Sequence, residues 1–364
     1  MYNWQFKKWA AFIYDEEMIS ANALKFAELS GEISGTFKTF NSVRQQNEIL
    51  DIMISEAIKT SAIEGEMLSR EDVRSSFLKK LGFATVAKNI KDKRAENIVL
   101  LMLDVQNNFQ AKLTEKQIKQ WHAMLFSNSK YINAGIYRTG KELMQIISSA
   151  IGKGKVHFEA PPSANVPQEM KNFIKWYNGF KIKNSIQKAI VKTAISHIYF
   201  ESIHPFEDGN GRIGRALIEK CLSESLEKPI IISVSQTIEK NKNKYYAELK
   251  KAQTTLEINN WLRYFSQLLI DAQKNTLEIL DFSIKKAQFF DQHKTLMNKR
   301  QIKIINRMLD AGKDGFEGGM TAKKYISIAK TTKATATRDL QELVELDILQ
   351  QNLAGRSTNY TLNL

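Results

Sequence analysis

A single cysteine, Cys221, in a chain of 364 residues rules out an internal disulfide. It falls on an apolar helical stripe, the place of a small core residue and not of a nucleophile. Proline is scarce as well: there are five, and the first 105 residues have none, so nothing there interrupts a helix. No stretch reaches the roughly 18 consecutive apolar residues that a membrane-spanning helix needs. The opening residues, Met1 to Trp9, mix aromatic and charged side chains where a secretory signal has an unbroken apolar segment. These absences argue against a membrane partner and place the expected protein in the cytoplasm. Acidic side chains are in deficit too, 39 against 53 Lys and Arg, leaving a formal charge of +14. That excess suits nucleotide or nucleic acid, but a lysine-rich coding bias gives the same number, so global charge separates nothing. Runs such as Lys240 to Lys244 read as solvated surface. With 43% hydrophobic and 25% charged residues, the composition is that of a globular protein long enough for two or three domains.

The segment His204-Pro-Phe-Glu-Asp-Gly-Asn-Gly-Arg-Ile-Gly-Arg215 concentrates the chemistry. Upstream, Ile190, Val191, Ala194, Ile195, Ile198 and Tyr199 recur at helical spacing; downstream, Ile213, Leu217, Ile218, Cys221 and Leu222 do so again. The segment is therefore a loop between helices that runs into a helix N-terminus, where free N–H groups and the helix dipole favour an anion. Gly209, Gly211 and Gly214 let backbone approach phosphate oxygens without a Cβ in the way. As a string, Gly209-x-Gly211-x-x-Gly214 matches the dinucleotide fingerprint, but that fingerprint follows a strand, and here a helix precedes it. No Lys-Ser or Lys-Thr follows the glycines, so a GxxxxGK[ST] phosphate loop is absent. His122, His157, His197 and His293 lack comparable neighbours, and His197 reads as a core or helix-face histidine.

The loop matches every specified position of His-Pro-Phe-x-Asp/Glu-Gly-Asn-Gly-Arg-x-x-Arg, the signature of the Fic family, which this chain resembles. The resemblance implies a mainly α fold: a helical Fic core with a β-hairpin flap, an N-terminal helical domain and a C-terminal winged helix. It implies transfer of AMP from ATP to a Tyr, Thr or Ser hydroxyl of a target protein. His204 would be the general base, Phe206 a core anchor, and Asp208 the ligand of Mg²⁺. Gly209, Asn210 and Gly211 would form the anion cradle, with Arg212 and Arg215 on the phosphates. The residue types suit these roles: phosphoryl-type transfer needs positioning and charge neutralisation. A neutral imidazole can take a proton, and a guanidinium fork grips two oxygens.

Three regions follow one another. Residues 1–105 are helical by pattern, with Trp4, Trp9, Phe12 and Ile13 as an expected buried stripe. This opening resembles the short domain that precedes the core in many bacterial Fic proteins. It contains Thr60-Ser-Ala-Ile-Glu64-Gly65, which matches the family's inhibitory motif Ser/Thr-x-x-x-Glu-Gly/Asn. Thr60 and Glu64 share a helix face, and Gly65 suits a helix C-terminus. A carboxylate here can pair bidentately with Arg215 and take the space of a γ-phosphate, so Glu64 is expected to autoinhibit. Residues 106–280 are the expected catalytic region. Short apolar runs, Gln145, Ile146 and Ile147 and then Val156, His157 and Phe158, flank Gly152-Lys-Gly154 as a hairpin. In the Fic family a flap at this place clamps the target segment by strand addition. Tyr245, Tyr246 and Gln253, with Asn241, fall where the family's adenine-side contacts arise.

Residues 295–364 read as a winged helix. Helices are expected at Gln301 to Leu309 and Thr321 to Ile326, a turn at Ser327 to Thr331, a recognition-type helix at Lys333 to Leu343, then two strands around Ala354 to Arg356. From Lys299 on, 11 Lys/Arg stand against 7 Asp/Glu. Either this module binds DNA, with Lys330, Lys333 and Arg338 on phosphates or bases and Arg356 at the wing tip, or it packs on the core or pairs subunits as a homodimer. Two rivals to AMP addition stay open: removal of AMP with Glu64 activating water, and a DNA-binding regulator whose core senses nucleotide.

Overall fold

The computed structural model describes all residues except 84–86, 141–143, 148–155, 182–184, 314, 354, 356 and 357. The expected hairpin tip at Gly152 to Gly154, and Arg356, therefore lie outside the described residues. The chain divides into two compact units, Met1–Thr276 and Leu277–Leu364. The expected boundary near residue 105 falls inside the first unit.

Among its described residues the first unit is mainly helical, with one small hairpin. Its helices are α1 (Ser20–Lys38), α2 (Ser42–Ile63), α3 (Arg70–Lys80), α4 (Lys93–Asn107), α5 (Glu115–Leu125), α6 (Val166–Gly179), α7 (Ile186–Ile203), α8 (Asn210–Ser225), α9 (Val234–Lys240) and α10 (Lys242–Ala252). The long α11 (Asn259–His293) begins here. Strands β1 (Gln145–Ile147) and β2 (Val156–Glu159) pair antiparallel, with Gln145 opposite Glu159 and Ile146 opposite Phe158. Helix α7 is the axis: every residue from Ala189 to Ile203 is buried, because α1, α6 and α8 pack around it. A helix covered on all sides shows little amphipathicity, and α7 buries Lys192, His197 and Glu201 along with its apolar residues.

The stripe expected at the N-terminus needs correction. Residues 3–5 form one 3-10 turn, and the chain to residue 15 is otherwise extended or turning. Ile13 is 61% exposed and bridges Glu257 through its backbone. Trp9 and Phe12 still find the core, edge-on to Tyr199 of α7 at 5.1 and 5.9 Å. Aromatic spacing alone does not separate an amphipathic helix from an extended segment laid across a helix.

In the second unit, α12 (Lys299–Leu309), α13 (Ala322–Ala329) and α14 (Lys333–Glu345) precede an antiparallel pair, β3 (Leu349–Asn352) and β4 (Asn359–Leu362). Helix α13 runs past the turn expected from Ser327; the chain reverses instead at Lys330, which takes φ 52°. Buried Asp339 ties this unit together, accepting from Arg300 at 3.0 Å and from the Tyr325 hydroxyl at 2.7 Å.

Candidate active site

The signature loop joins α7 to α8. His204 caps α7 in the left-handed region, φ 50° and ψ 61°, which costs a residue with a Cβ about 1–3 kcal/mol. Arg138 offsets that strain. Buried itself, it donates from Nε to the His204 carbonyl at 2.8 Å, and from Nη2 to the Ile203 and Pro161 carbonyls at 3.2 and 2.5 Å. Its backbone N–H bonds to the Pro205 carbonyl at 3.0 Å. Nothing in the sequence marks this role, since Arg138 lies 66 positions before His204. Beyond His204, Phe206 is fully buried and stacks on His122 at 4.0 Å. Asn210 closes the loop by accepting from Phe206 N at 3.0 Å and donating to Phe206 O at 2.8 Å. Its side chain is therefore a brace of the loop; the cradle itself is backbone.

Helix α8 opens with Gly209 as N-cap at φ 78°. A Cβ there would stand 2.7 Å from the Phe126 ring. Gly211 faces the cradle: a Cβ on it would lie 2.2 Å from Glu64 Oε1 and 3.0 Å from Arg215 Nη1. Gly214 differs from the expectation, because the space it leaves is taken by Glu201 Oε1, 2.2 Å from a Cβ position, and not by an anion site.

The end of α2 reaches into this cradle. Arg215 donates to Glu64 Oε1 at 2.7 Å, to Thr60 Oγ1 at 2.7 Å and to the Thr60 carbonyl at 2.9 Å. The Glu64–Arg215 pair thus shows one short contact, with Thr60 holding the rest of the fork, where a bidentate pair was expected. Gly65 turns the chain at φ 85°. The next residue, Glu66, accepts from Arg212 at 2.8 Å, a contact the motif does not announce. Lys242 of α10 bonds the Ile63 carbonyl at the C-terminal end of α2. Burial opposes the charge on Glu64, but Arg215, with Arg212 and Lys242 behind it, outweighs this and holds its pKa below the usual carboxylate range.

Burial and then the Arg138 charge push the His204 pKa down to about 4, so its imidazole is neutral at pH 7. Three residues earlier, Glu201 is buried, with Oε2 3.8 Å from His204 Nδ1. Burial lifts its pKa to about 8, against the pull of Arg215. Asp208 sits at the edge of the loop with 54% of its side chain exposed, 3.6 Å from Arg212.

The three residues expected on the adenine side separate. Tyr245 is buried and its hydroxyl bonds His197 Nε2 at 2.7 Å; Gln253 is buried and donates to the Glu201 carbonyl at 3.2 Å. Both are spent on packing, which corrects their expected contact with nucleotide, and Tyr246 alone is exposed, at 40%. The flap residues Gln145, Ile146, Ile147, Val156, His157 and Phe158 lie on the paired strands. The outer strand is fastened by the chain's opening residues: Trp4 donates to the Glu159 carbonyl at 2.7 Å, and Tyr2 meets Phe158 edge-on at 5.0 Å. A cavity of about 720 Å³ is lined by Asn241, Lys244, Trp261 and Tyr264 among others and includes no residue of the signature. In the second unit, Lys330, Lys333 and Arg338 are exposed around the start of α14. Among the described residues no helix is long and apolar enough to cross a membrane.

Comparisons with known proteins place likenesses along most of the chain. The Fic/DOC family profile matches residues 112–222, and a domain of unknown function, DUF4172, matches residues 2–83. A probable protein adenylyltransferase of Aquifex aeolicus is 33% identical over 96 residues, 26% of this chain and 27% of that protein. A protein adenylyltransferase of Caenorhabditis elegans is 26% identical over 216 residues, 57% of this chain and 38% of the other. The chain thus spans only about a quarter to two fifths of the length of these curated relatives. Among solved structures, a Fic family protein from Desulfovibrio desulfuricans covers 93% of this chain and 95% of its own, with TM-score 0.52 at 18% identity. A Fic domain containing signalling protein from Bacteroides thetaiotaomicron gives TM-score 0.54 at 20% identity, covering 71% and 97%.

Proposed function

We propose that this chain, whose residues 112–222 match the Fic/DOC family profile, is a protein adenylyltransferase held off by its own Glu64. The observation that carries this reading is His204 beside a glycine-lined cradle whose two arginines are both engaged by carboxylates from the end of α2. ATP arrives with Mg²⁺ as its substrate complex. Asp208, half exposed at the edge of the cradle, is the carboxylate that fits the cation, with phosphate oxygens supplying the other ligands. A target side chain is presented along the flap. Its hydroxyl proton passes to His204 as the oxygen bonds the α-phosphorus. The bond from that phosphorus to the bridging oxygen breaks, and pyrophosphate leaves with the electron pair. Arg212, Arg215 and the N–H groups at the start of α8 neutralise the growing charge.

Glu64 blocks this by position. Its carboxylate stands over Gly211 and on Arg215, so a phosphate oxygen and Glu64 compete for one place and one guanidinium. Glu66 does the same to Arg212, which makes the block a clamp of two carboxylates on one short turn. The test is incorporation of α-³²P label from ATP by wild type, Glu64→Gly, and Glu64→Gly with His204→Ala, in lysate with Mg²⁺. Label that appears with the first variant and vanishes with the second supports the reading. Absence of label from every variant, with ATP binding intact, sinks it.

The position of Glu64 in the cradle also favours a second reading, AMP removal, in which its carboxylate activates water. Release of AMP from a labelled target by wild type but not by Glu64→Gly distinguishes it. The exposed Lys330, Lys333 and Arg338 support duplex DNA as a partner of the second unit, with winged-helix-like docking. Affinity that falls steeply as salt rises supports this; no retained duplex at low salt removes it.

A further inference from the structure

Glu201 has no part in the signature, yet it is the carboxylate nearest the reacting imidazole. It and His204 stand three residues apart in the last turn of α7, so their side chains share a face. Oε2 lies 3.8 Å from Nδ1. Neither His204 Nδ1 nor Glu201 Oε1 has a hydrogen-bond partner among the described residues, although both atoms are buried. A buried Nδ1 without a partner costs free energy that a bond to Oε2 recovers. Closing the gap by about 1 Å brings nitrogen and oxygen to the length of an N–H···O bond.

Helix α8 is cut to fit this carboxylate. Gly214 packs over Glu201, and any Cβ there would collide with Oε1. His197 bonds the Gly214 carbonyl at 3.1 Å and the Tyr245 hydroxyl at 2.7 Å, fixing the wall on that side. Arg215, Glu64, Tyr245 and Tyr246 are the charged or titratable groups that face Glu201 from α8, α2 and α10. Burial raises the Glu201 pKa to about 8 despite Arg215, so at pH 7 the group is a neutral carboxyl that accepts through its carbonyl oxygen.

Resting on the adenylyltransferase reading, we propose that Glu201 is a positioning residue that accepts Nδ1–H of His204, fixes the tautomer with a free Nε2, and steadies the imidazolium when the target's proton arrives. The proton ends on Nε2 of His204; Glu201 takes none. An acceptor that sets a ring's tautomer is worth about ten- to a hundredfold where the ring does chemistry.

Two measurements test this. Chain labelled with ¹⁵N in histidine, with the His204 ring assigned by comparison with His204→Ala, reports the tautomer directly. The proposal expects protonated Nδ1 and unprotonated Nε2 in the wild type, and a mixed ring in Glu201→Leu. In the Glu64→Gly background, Glu201→Leu should lower kcat about ten- to a hundredfold with KM for ATP unchanged, and Glu201→Gln, which keeps an oxygen acceptor, should recover part of it. A wild-type ring protonated at Nε2 overturns the proposal, as does unchanged kcat and ring signal in Glu201→Leu. Should Glu201→Leu fail to fold, the wild-type ring still decides. If Glu64→Gly transfers no AMP, the adenylyltransferase reading fails by itself, and the ring measurement still judges Glu201.

Discussion

Substitution of Glu64 tests the clamp, and the geometry gives its size. Productive binding of a triphosphate must displace the Glu64 carboxylate from Arg215, breaking one charge-assisted bond of 2.7 Å. Such bonds contribute about 1.5–3 kcal/mol, and the exposure of a quarter of the Glu64 side chain, 26%, favours the lower end. At about 1.4 kcal/mol per tenfold, Glu64→Gly should raise the rate of AMP incorporation about ten- to a hundredfold. Glu64→Gln keeps the shape but not the charge and should fall between wild type and Glu64→Gly. Glu66→Gln weakens a bond of similar length on Arg212, 2.8 Å, and should add about a further three- to tenfold when combined with Glu64→Gly. The assay is initial-rate transfer of α-³²P label to a target or to the chain itself, at fixed ATP and Mg²⁺. Equal rates for wild type, Glu64→Gln and Glu64→Gly, with His204→Ala inactive, would refute the clamp while leaving the transferase intact.

Further consequences follow from the same site. In Glu64→Gly, transfer should stay level from pH 8 down to about 6, because the His204 pKa is depressed to about 4 from an ordinary 6.5; an inflection between 6 and 7 contradicts that burial. The same depression means the unfolded chain binds the His204 proton first, so thermal stability should decline as pH falls from 6.5 toward 4. Glu64 carries the same sign: its pKa lies below the ordinary 4.5, so the clamp is fully charged above that value and wild-type activity should not rise between pH 5 and 8. Arg138→Ala strips donors from the His204, Ile203 and Pro161 carbonyls and should lower stability by several kcal/mol, at about 1–3 kcal/mol for each orphaned group, read by denaturant unfolding. Gly214→Ala forces a Cβ against Glu201 Oε1 and should cost about 1–3 kcal/mol by overpacking, with a fall in kcat.

Much of this site could be read before any coordinates, because a loop that grips phosphates must keep its glycines, its arginines and its base close together in the chain. His204, Gly211, Arg212 and Arg215 are close in sequence and close in space for one reason: the turn of a helix N-terminus brings them together. The motif around Glu64 was legible for the same local reason, four residues along one helix face. What stayed hidden was whatever reaches the site from afar. Arg138, Lys242 and Glu66 are ordinary charged residues until the fold delivers them to a carbonyl or a guanidinium. Nothing in the sequence singles out Glu201, and Gly214 was assigned to phosphate because glycine spacing does not reveal what fills the space it leaves. Tyr245 and Gln253 show the reverse error: placed near the nucleotide by position, they turn inward because His197 and the Glu201 carbonyl need partners. At the N-terminus, aromatic residues suggested a helical stripe, and the chain lies extended across α7 instead.

Arg138 has one more effect. Among the described residues no carboxylate pairs with it, and burial lowers its pKa only to about 10. Its counter-charge is the C-terminal end of α7, whose carbonyls carry the negative pole of that helix. With that pole neutralised, the positive pole of α8 faces the cradle without an opposing field from the helix that precedes it. Attraction for an anion is thus partly a property of how two helices meet, and some of it outlasts any change to the side chains of Arg212 and Arg215.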